Sequence, residues 1–288
     1  MPWYLKVLAK MVLARLPFGY SLFRRVGIFR HGAMDSVDYA LGVFRGHHQL
    51  AVQRGLGKSF VALEIGPGDS VASAILARSA GASETILVDA GPFATRDMSF
   101  YRGVATTARE HGYAVPEKLR FESLEALLDS CSACYLATGL DTFRDLASGS
   151  IDFIWSHAVL EHVRAAQFPE LIEQTFRVLK PGGFASHRVD LRDHLGGALN
   201  NLRFSDRVWE SRLMAGSGFY TNRIRYGEMI DEFRRVGFFV EVLLVEKWSA
   251  LPVSRQAMSG RFQRVSDDDL LVQGFEVFLS RPGRSLHS

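Results

Sequence analysis

Cysteine is scarce in this sequence. Only Cys131 and Cys134 occur among 288 residues, too few for a disulfide framework and consistent with a reducing cytoplasm. Their C-x-x-C spacing lacks the second pair that completes a zinc site, so two half-buried thiols are expected. Long apolar runs are also missing, because no run approaches the roughly 18 residues that span a bilayer. We therefore expect a cytoplasmic globular protein with no resident metal.

Acidic residues are absent from positions 1–34, although the net charge of the whole chain is only +3. Apolar residues recur at helical spacing over residues 3–16, which predicts an amphipathic helix that Pro17 ends. This helix packs on the main domain or, as an alternative, residues 1–30 contact the inner face of an anionic membrane. We assign residues 1–54 to a helical extension that acts as a lid or as a simple preface to the first strand.

The glycine-containing stretch that follows the first predicted strand lacks a third glycine. The apolar run Val61–Ile65 predicts a buried parallel strand, and Gly66 and Gly68 follow it. Glycine permits a tight turn and lets a ligand approach the backbone. A strand, a glycine turn and a helix N-terminus together form a nucleotide-type binding edge. A dinucleotide fingerprint would place glycine or alanine where Val71 stands, which disfavours NAD.

A carboxylate ends the second predicted strand. Asp89 closes the run Thr85–Val88 and lies 21 residues beyond Gly68. At that distance a second strand presents an acid to the hydroxyls of a ribose. Because a carboxylate accepts two hydrogen bonds, it suits a vicinal diol. Alternation of such strands with helices predicts a doubly wound α/β sheet, and the last two strands predict an antiparallel edge hairpin.

Four motifs follow one another in a defined order. They are Glu64–Gly68, Asp89, Asp152–His162 and Leu179–Phe184. Together they resemble the class I S-adenosylmethionine-dependent methyltransferases, closest to the type 11 group. The resemblance covers residues 55–245, and it implies a seven-stranded, mostly parallel Rossmann-like sheet in a domain that we place at residues 55–283.

The resemblance implies S-adenosylmethionine as the cofactor and assigns contacts to it by position. The implied contacts are Glu64, Gly66 and Gly68 at the methionine moiety, Asp89 at the ribose, Leu140 and Asp141 near the adenine, and Ser156 and His157 beside the sulfonium methyl group.

Transfer to a hydroxyl requires a base, and the end of the fifth strand is rich in candidates. The candidates are Asp190, Asp193 and His194, together with His157 at the end of the fourth strand. In a strand, His187 faces opposite to Asp190. Two alternatives stay open for this cluster: it binds a divalent metal, or its acids cap the following turn and pair with Arg188 and Arg192.

The acceptor is predicted from the polar segment 191–225. Its amides and aromatic residues suit a sugar ring, and its arginines suit a phosphate. We therefore predict O-methylation of a small molecule or a glycan, such as a nucleotide sugar or a lipid-linked sugar, in glycan biosynthesis. Nucleic acid is disfavoured, because Ser156-His157-Ala158 stands where a base methyltransferase carries Asn/Asp-Pro-Pro-Tyr/Phe.

Two other functions compete with this prediction. An NAD(P)-dependent sugar enzyme would carry a Tyr-x-x-x-Lys pair, which the sequence lacks. A catalytically silent binding protein would tolerate loss of the glycine turn or of Asp89, and both are intact.

Overall fold

The computed structural model describes residues 34–283. The helix predicted over residues 3–16 lies outside this range. The strands are β1 (Val61–Ile65), β2 (Glu84–Val88), β3 (Ala133–Leu136), β4 (Ile151–His157), β5 (Leu179–Asp190), β6 (Phe239–Lys247) and β7 (Val272–Ser280). The helices are α1 (Val37–Gln53), α2 (Ala72–Ser79), α3 (Met98–Glu110), α4 (Leu124–Ser130), α5 (Leu140–Asp145), α6 (Phe168–Val178), α7 (Asp206–Trp209), α8 (Arg212–Ala215), α9 (Tyr226–Val236) and α10 (Asp267–Leu270).

The strands form one seven-stranded sheet in the order β3-β2-β1-β4-β5-β7-β6. The pairs β3–β2, β2–β1, β1–β4 and β4–β5 are parallel. β7 is antiparallel to both β5 and β6. This order confirms the predicted α/β sheet and its antiparallel edge hairpin.

Helices cover both faces of the sheet, as a mostly parallel sheet requires. One core lies between the sheet and α1 to α4, and Phe153 and Trp155 of β4 point into it. The second core lies against α5, α6 and α9, and Ile154 points into it. Because successive residues of a strand alternate faces, the residues after Trp155 are divided between the two sides in the same way.

The segment Leu179–Gly183, the first part of the last motif, belongs to β5. Ile151 pairs with Leu179 but Phe153 pairs with Phe184, so the register shifts within this segment. A Cβ at Gly183 would lie 2.9 Å from the carbonyl oxygen of Lys180. The glycines therefore form an irregularity inside the strand.

The long segment 191–225 is not an open loop. It contains the 3-10 turn Asn200–Arg203 and the short helices α7 and α8. Leu195, Trp209 and Phe219 form a small buried cluster of its own. Within the described residues, no helix is long and apolar enough to cross a membrane.

Candidate functional site

The glycine turn after β1 meets the loop after β4. Ile65 pairs with Ser156, so the residues after each strand lie at the same edge. Gly66 and Gly68 have φ angles of 70° and 67°. Residues that carry a Cβ rarely adopt this backbone conformation. A Cβ at Gly66 would lie 2.6 Å from Cγ2 of Val159. Glycine is therefore required here by the backbone conformation and by the close packing of Val159.

Asp89 connects the turns that follow β1, β2 and β3. Its Oδ2 accepts a hydrogen bond from the amide of Gly68 at 2.9 Å, and its Oδ1 accepts one from the amide of Ala90 at 2.7 Å. The amide of Gly139 donates to the carbonyl oxygen of Asp89 at 2.8 Å. Burial raises the pKa of Asp89 to about 6, and Asp69 nearby adds to the rise.

Glu64 is buried beneath the same edge. Its Oε1 accepts a hydrogen bond from Nε1 of Trp155 at 3.1 Å. Its Oε2 and the neighbouring hydroxyl of Ser73 have no partner of good geometry among the described residues. Burial raises the pKa of Glu64 to about 7, and the charge of Asp89 contributes. Two acids held above their ordinary pKa favour a cationic ligand, which would stabilise their charged forms.

The residues predicted near the adenine and the methyl group have other side-chain contacts. Asp141 pairs with Arg144 at 2.5 Å and is largely exposed. Leu140 packs against the second core. The hydroxyl of Ser156 is fully buried and lies 2.7 Å from Nδ1 of His187. Only the backbone of Ser156 therefore remains at the strand edge, while its side chain joins the core.

His157 begins a chain of polar groups that reaches α1. Its Nδ1 lies 3.3 Å from Nε2 of His47, and Nδ1 of His47 lies 2.8 Å from the hydroxyl of Ser186. Burial lowers the pKa of His157 to about 4, and the charge of Arg188 lowers it further. Burial and the neighbouring histidines lower the pKa of His47 to about 3. Both rings are therefore neutral at pH 7.

The candidate acids after β5 are engaged in local hydrogen bonds. Both carboxylate oxygens of Asp190 accept from the guanidinium of Arg192, at 2.9 and 2.6 Å. Burial raises the pKa of Asp190, but these bonds outweigh burial and hold it below its ordinary value. The carboxylate of Asp193 accepts from the amides of Leu195, Ala198 and Asn200. These contacts match one of the open alternatives in part: Asp193 caps the turn and Asp190 pairs with Arg192, whereas Arg188 pairs with Glu246 and Glu276.

His194 lies beside another histidine. Its Nε2 is 3.3 Å from Nε2 of His162, and the two rings stack with centroids 5.0 Å apart. Across residues 34–283, no group of three or more histidine, cysteine or acidic side chains is arranged to hold a metal ion.

Two residues of this region are not among the predicted site residues. His47 lies one helical turn from Val43 and from Leu50, so its position on the inner face of α1 is readable from spacing. Its contact with His157 joins residues 110 positions apart, which spacing does not reveal. Glu161 is 2% exposed; its Oε1 accepts from the amide of Asp190 at 3.3 Å, and its Oε2 has no partner within the described range.

Two arginines and one amide of segment 191–225 are engaged within the fold, so their side chains are not available to a phosphate or a sugar. Arg225 is 1% exposed; its guanidinium donates to the carbonyl oxygens of Leu191, Asp269, Leu270 and Val272. Arg223 donates to carbonyl oxygens and to the carboxylate of Asp206. The side-chain amide of Asn222 donates to two carbonyl oxygens as well. These donors hold the fold together, because burial without a partner would be costly.

Comparison with known proteins agrees with this arrangement. Residues 116–186 match the family model described as a methyltransferase domain. The match covers 71 of the 288 residues, and within that part the chain is similar to the domain type that the motifs imply. Among curated protein sequences, comparison finds no match.

Solved structures of similar proteins share little sequence with the chain. A methyltransferase dependent on S-adenosylmethionine from Methanosarcina mazei is 15% identical, with 81% of this chain and 97% of that chain covered and a TM-score of 0.49. A putative methyltransferase from Haloferax volcanii, solved with the Trm112 activator, is 15% identical with 88% and 99% covered and a TM-score of 0.43.

Proposed function

We infer that this chain is a class I S-adenosylmethionine-dependent methyltransferase, and we propose that it methylates a hydroxyl group of a small molecule or glycan. One observation carries the proposal. An acidic glycine-turn edge, built from Gly66, Gly68 and Asp89, stands beside a neutral imidazole, that of His157, at the end of the adjacent strand.

The edge formed by the glycine turn and the two acids suits a cofactor that carries both a positive charge and a ribose. Glu64 and Asp89 place two carboxyl groups on a buried edge, where a cation would stabilise their charged forms, and Gly66 and Gly68 form the tight turn beside them. S-adenosylmethionine, when bound, supplies a methyl group on a sulfonium, and transfer breaks its S–C bond as the acceptor's O–C bond forms and the hydroxyl proton leaves. We assign Asp89 to the ribose hydroxyls and Glu64 to the methionine end.

His157 is the base that we propose for that proton. Its Nδ1 faces His47, so Nε2 is the nitrogen left for an acceptor hydroxyl. The imidazole is neutral at pH 7 because its pKa lies at about 4. Asp190 and Asp193 are engaged with Arg192 and with backbone amides, which leaves them less suited to accept a proton.

Removal of the Asp89 carboxylate is expected to weaken cofactor binding. Asp89→Ala loses the acceptor of a ribose diol, and hydrogen bonds to a buried charged group contribute about 1–3 kcal/mol. We expect the Kd for S-adenosylmethionine to rise about tenfold or more, as measured by calorimetry.

Glu84→Ala is the matched control, because Glu84 is an exposed acid at the opposite end of β2. Thermal unfolding of both variants separates a local loss of affinity from loss of the fold. A Kd unchanged in a folded Asp89→Ala protein would remove Asp89 from the ribose contact. Binding of NAD in place of S-adenosylmethionine by the wild-type protein would overturn the proposed function.

His157→Asn is expected to lower methyl transfer about 100-fold with little change in cofactor affinity, since a positioned base contributes 10²–10⁴-fold. His194→Asn is the control variant, because His194 belongs to the other histidine pair of this region, the one with His162. Transfer is measured with labelled methyl groups into fractions of a cell extract. Because the pKa of His157 is lowered to about 4, the wild-type rate should show no inflection near pH 6.5. A large loss in His194→Asn alone would move the base to the end of β5.

A further inference from the structure

A cavity of about 560 Å³ lies between α1 and strands β4, β5 and β7. On the helix side it is lined by Tyr39, Gly42, Val43, Gly46 and Leu50. These positions recur at three- and four-residue steps, so they occupy one stripe of α1. The volume is within the range of a small-molecule site. On the strand side the cavity reaches His157, the base that we propose.

Two of the helical positions that line the cavity, Gly42 and Gly46, are exposed and have no side chain. A Cβ added at Gly42 or at Gly46 would meet no atom within 4 Å. Each glycine inside a helix costs about 1 kcal/mol relative to alanine. No close packing compensates that cost here, since both positions adjoin open volume.

The one cation in the described lining of the cavity is paired with two carboxylates. Arg188 donates to Glu276 at 3.2 Å and to Glu246 at 2.6 Å. The other charged residue of the lining is Asp38, which would repel a phosphate. The lining therefore offers no uncompensated cation for a phosphorylated ligand.

The strand wall presents one oriented hydrogen-bonding group. Nδ1 of His157 is engaged with His47, whose other nitrogen meets the hydroxyl of Ser186. If His157 donates from Nδ1, its Nε2 is an acceptor for a hydroxyl. His47 thus acts as a positioning residue that fixes which nitrogen of His157 receives the proton.

We propose that this cavity binds the methyl acceptor, and that the acceptor is an uncharged ring molecule with its hydroxyl at Nε2 of His157 and an apolar face toward α1. The proposal rests on the function proposed above and narrows its substrate class. It disfavours a nucleotide sugar, whose diphosphate finds no partner in this lining. The tyrosine ring of Tyr39 stands edge-on to His157 at a centroid distance of 6.0 Å and would border the bound ring.

Gly46→Leu tests the cavity directly. A Cβ at Gly46 meets no atom within 4 Å, and leucine favours a helix more than glycine does, so the variant should unfold at no lower temperature. We expect the leucine side chain to occupy part of the cavity that Gly46 lines. We use 2-naphthol as the neutral hydroxyl probe and UDP-glucose as the charged one, each with S-adenosylhomocysteine present. Calorimetry should show 2-naphthol binding to the wild-type protein and at least a tenfold weaker affinity in Gly46→Leu, with the affinity for S-adenosylhomocysteine unchanged.

Gln49→Leu is the matched control, because Gln49 is an exposed residue of the same helix outside the cavity lining. It should leave the affinity for 2-naphthol unchanged. Equal affinity of Gly46→Leu and wild type for 2-naphthol, failure of 2-naphthol to bind, or tighter binding of UDP-glucose would overturn the assignment. Failure of the wild-type protein to bind S-adenosylhomocysteine would instead overturn the proposed function, so the two failures are distinguishable.

His47→Asn tests the positioning role separately. Asparagine retains a hydrogen-bonding group at this position, whereas His47→Leu does not. Nitrogen NMR of His157 should report a change of tautomer in His47→Leu that His47→Asn partly restores. If His157 keeps its wild-type tautomer in both variants, His47 does not have that role.

Discussion

Glu161→Gln is expected to stabilise the protein strongly at pH 9 and by less than half as much at pH 6. Glu161 is fully buried, and its Oε2 has no partner within the described residues. Burial raises the pKa of this carboxyl to about 8, with a further rise from the charge of Asp190 and an opposing effect of Arg188. The carboxyl is therefore mostly protonated at pH 6 and ionised at pH 9.

The direction of the effect follows from proton linkage. An acid whose pKa is higher in the folded state than in the unfolded chain binds its proton more tightly when folded. Stability is then complete below pH 4.5, the ordinary pKa, and is lost as the pH rises to about 8. A shift of this size corresponds to about 5 kcal/mol. Glutamine has no charge to bury, so the variant should avoid that loss and gain roughly 10 °C in Tm at pH 9.

Glu110→Gln provides the control, because Glu110 is exposed at the end of α3 and should change Tm little at either pH. Thermal unfolding of all three proteins, without cofactor, is measured at pH 6 and pH 9. Parallel pH dependence in wild type and Glu161→Gln would show that Glu161 does not ionise in this range. Unfolding of the variant at pH 6 would show that the protonated carboxyl makes a contact that glutamine cannot.

Gly66→Ala is expected to destabilise the protein by about 3 kcal/mol and to weaken cofactor binding. A residue with a Cβ pays about 1–2 kcal/mol to adopt a left-handed conformation, and φ at Gly66 is 70°. Overpacking costs a further 1–3 kcal/mol or so, because the Cβ would lie 2.6 and 2.7 Å from the two γ-carbons of Val159. Movement of either group would displace the turn that receives the methionine moiety.

The double variant Gly66→Ala/Val159→Ala separates these two costs. Removal of both γ-carbons should return about 1–2 kcal/mol, which a double-mutant cycle measures as a coupling energy. Gly112→Ala is the control for conformation alone, since its φ is 81° and no atom lies within 4 Å of the added Cβ. Additive effects at Gly66 and Val159 would mean that the turn relaxes without strain against the loop after β4.

The parts of the site predicted from sequence are those encoded by neighbours along the chain. The glycine turn is predicted because Gly66 and Gly68 directly follow an apolar strand. The position of Asp89 is predicted because it directly follows the next strand. Parallel strands bring such ends to one edge, and the amide of Gly68 donates to Asp89 as that rule leads one to expect. The seven-stranded, mostly parallel sheet follows from the motif resemblance in the same way.

Contacts between distant segments were beyond the reach of the sequence. Arg225 looks like a phosphate ligand in a polar segment, but its partners are carbonyl oxygens up to 47 positions away. His47 looks like one more polar residue of a helix, but its contact is 110 positions away at the end of β4. In both cases the type of side chain indicates its role only when the fold is known, because the fold determines which backbone group or ring the side chain contacts.

The position of β7 has a consequence for biosynthesis. β7 lies between β5 and β6, and it is made after both. Until residues 272–280 leave the ribosome, the edge of β5 exposes backbone groups that only this strand satisfies, and β6 has no partner within the described sheet. Unpaired edges invite association with other chains. A nascent chain that stalls before β7 should therefore depend on chaperones even when its cofactor-binding half is already folded.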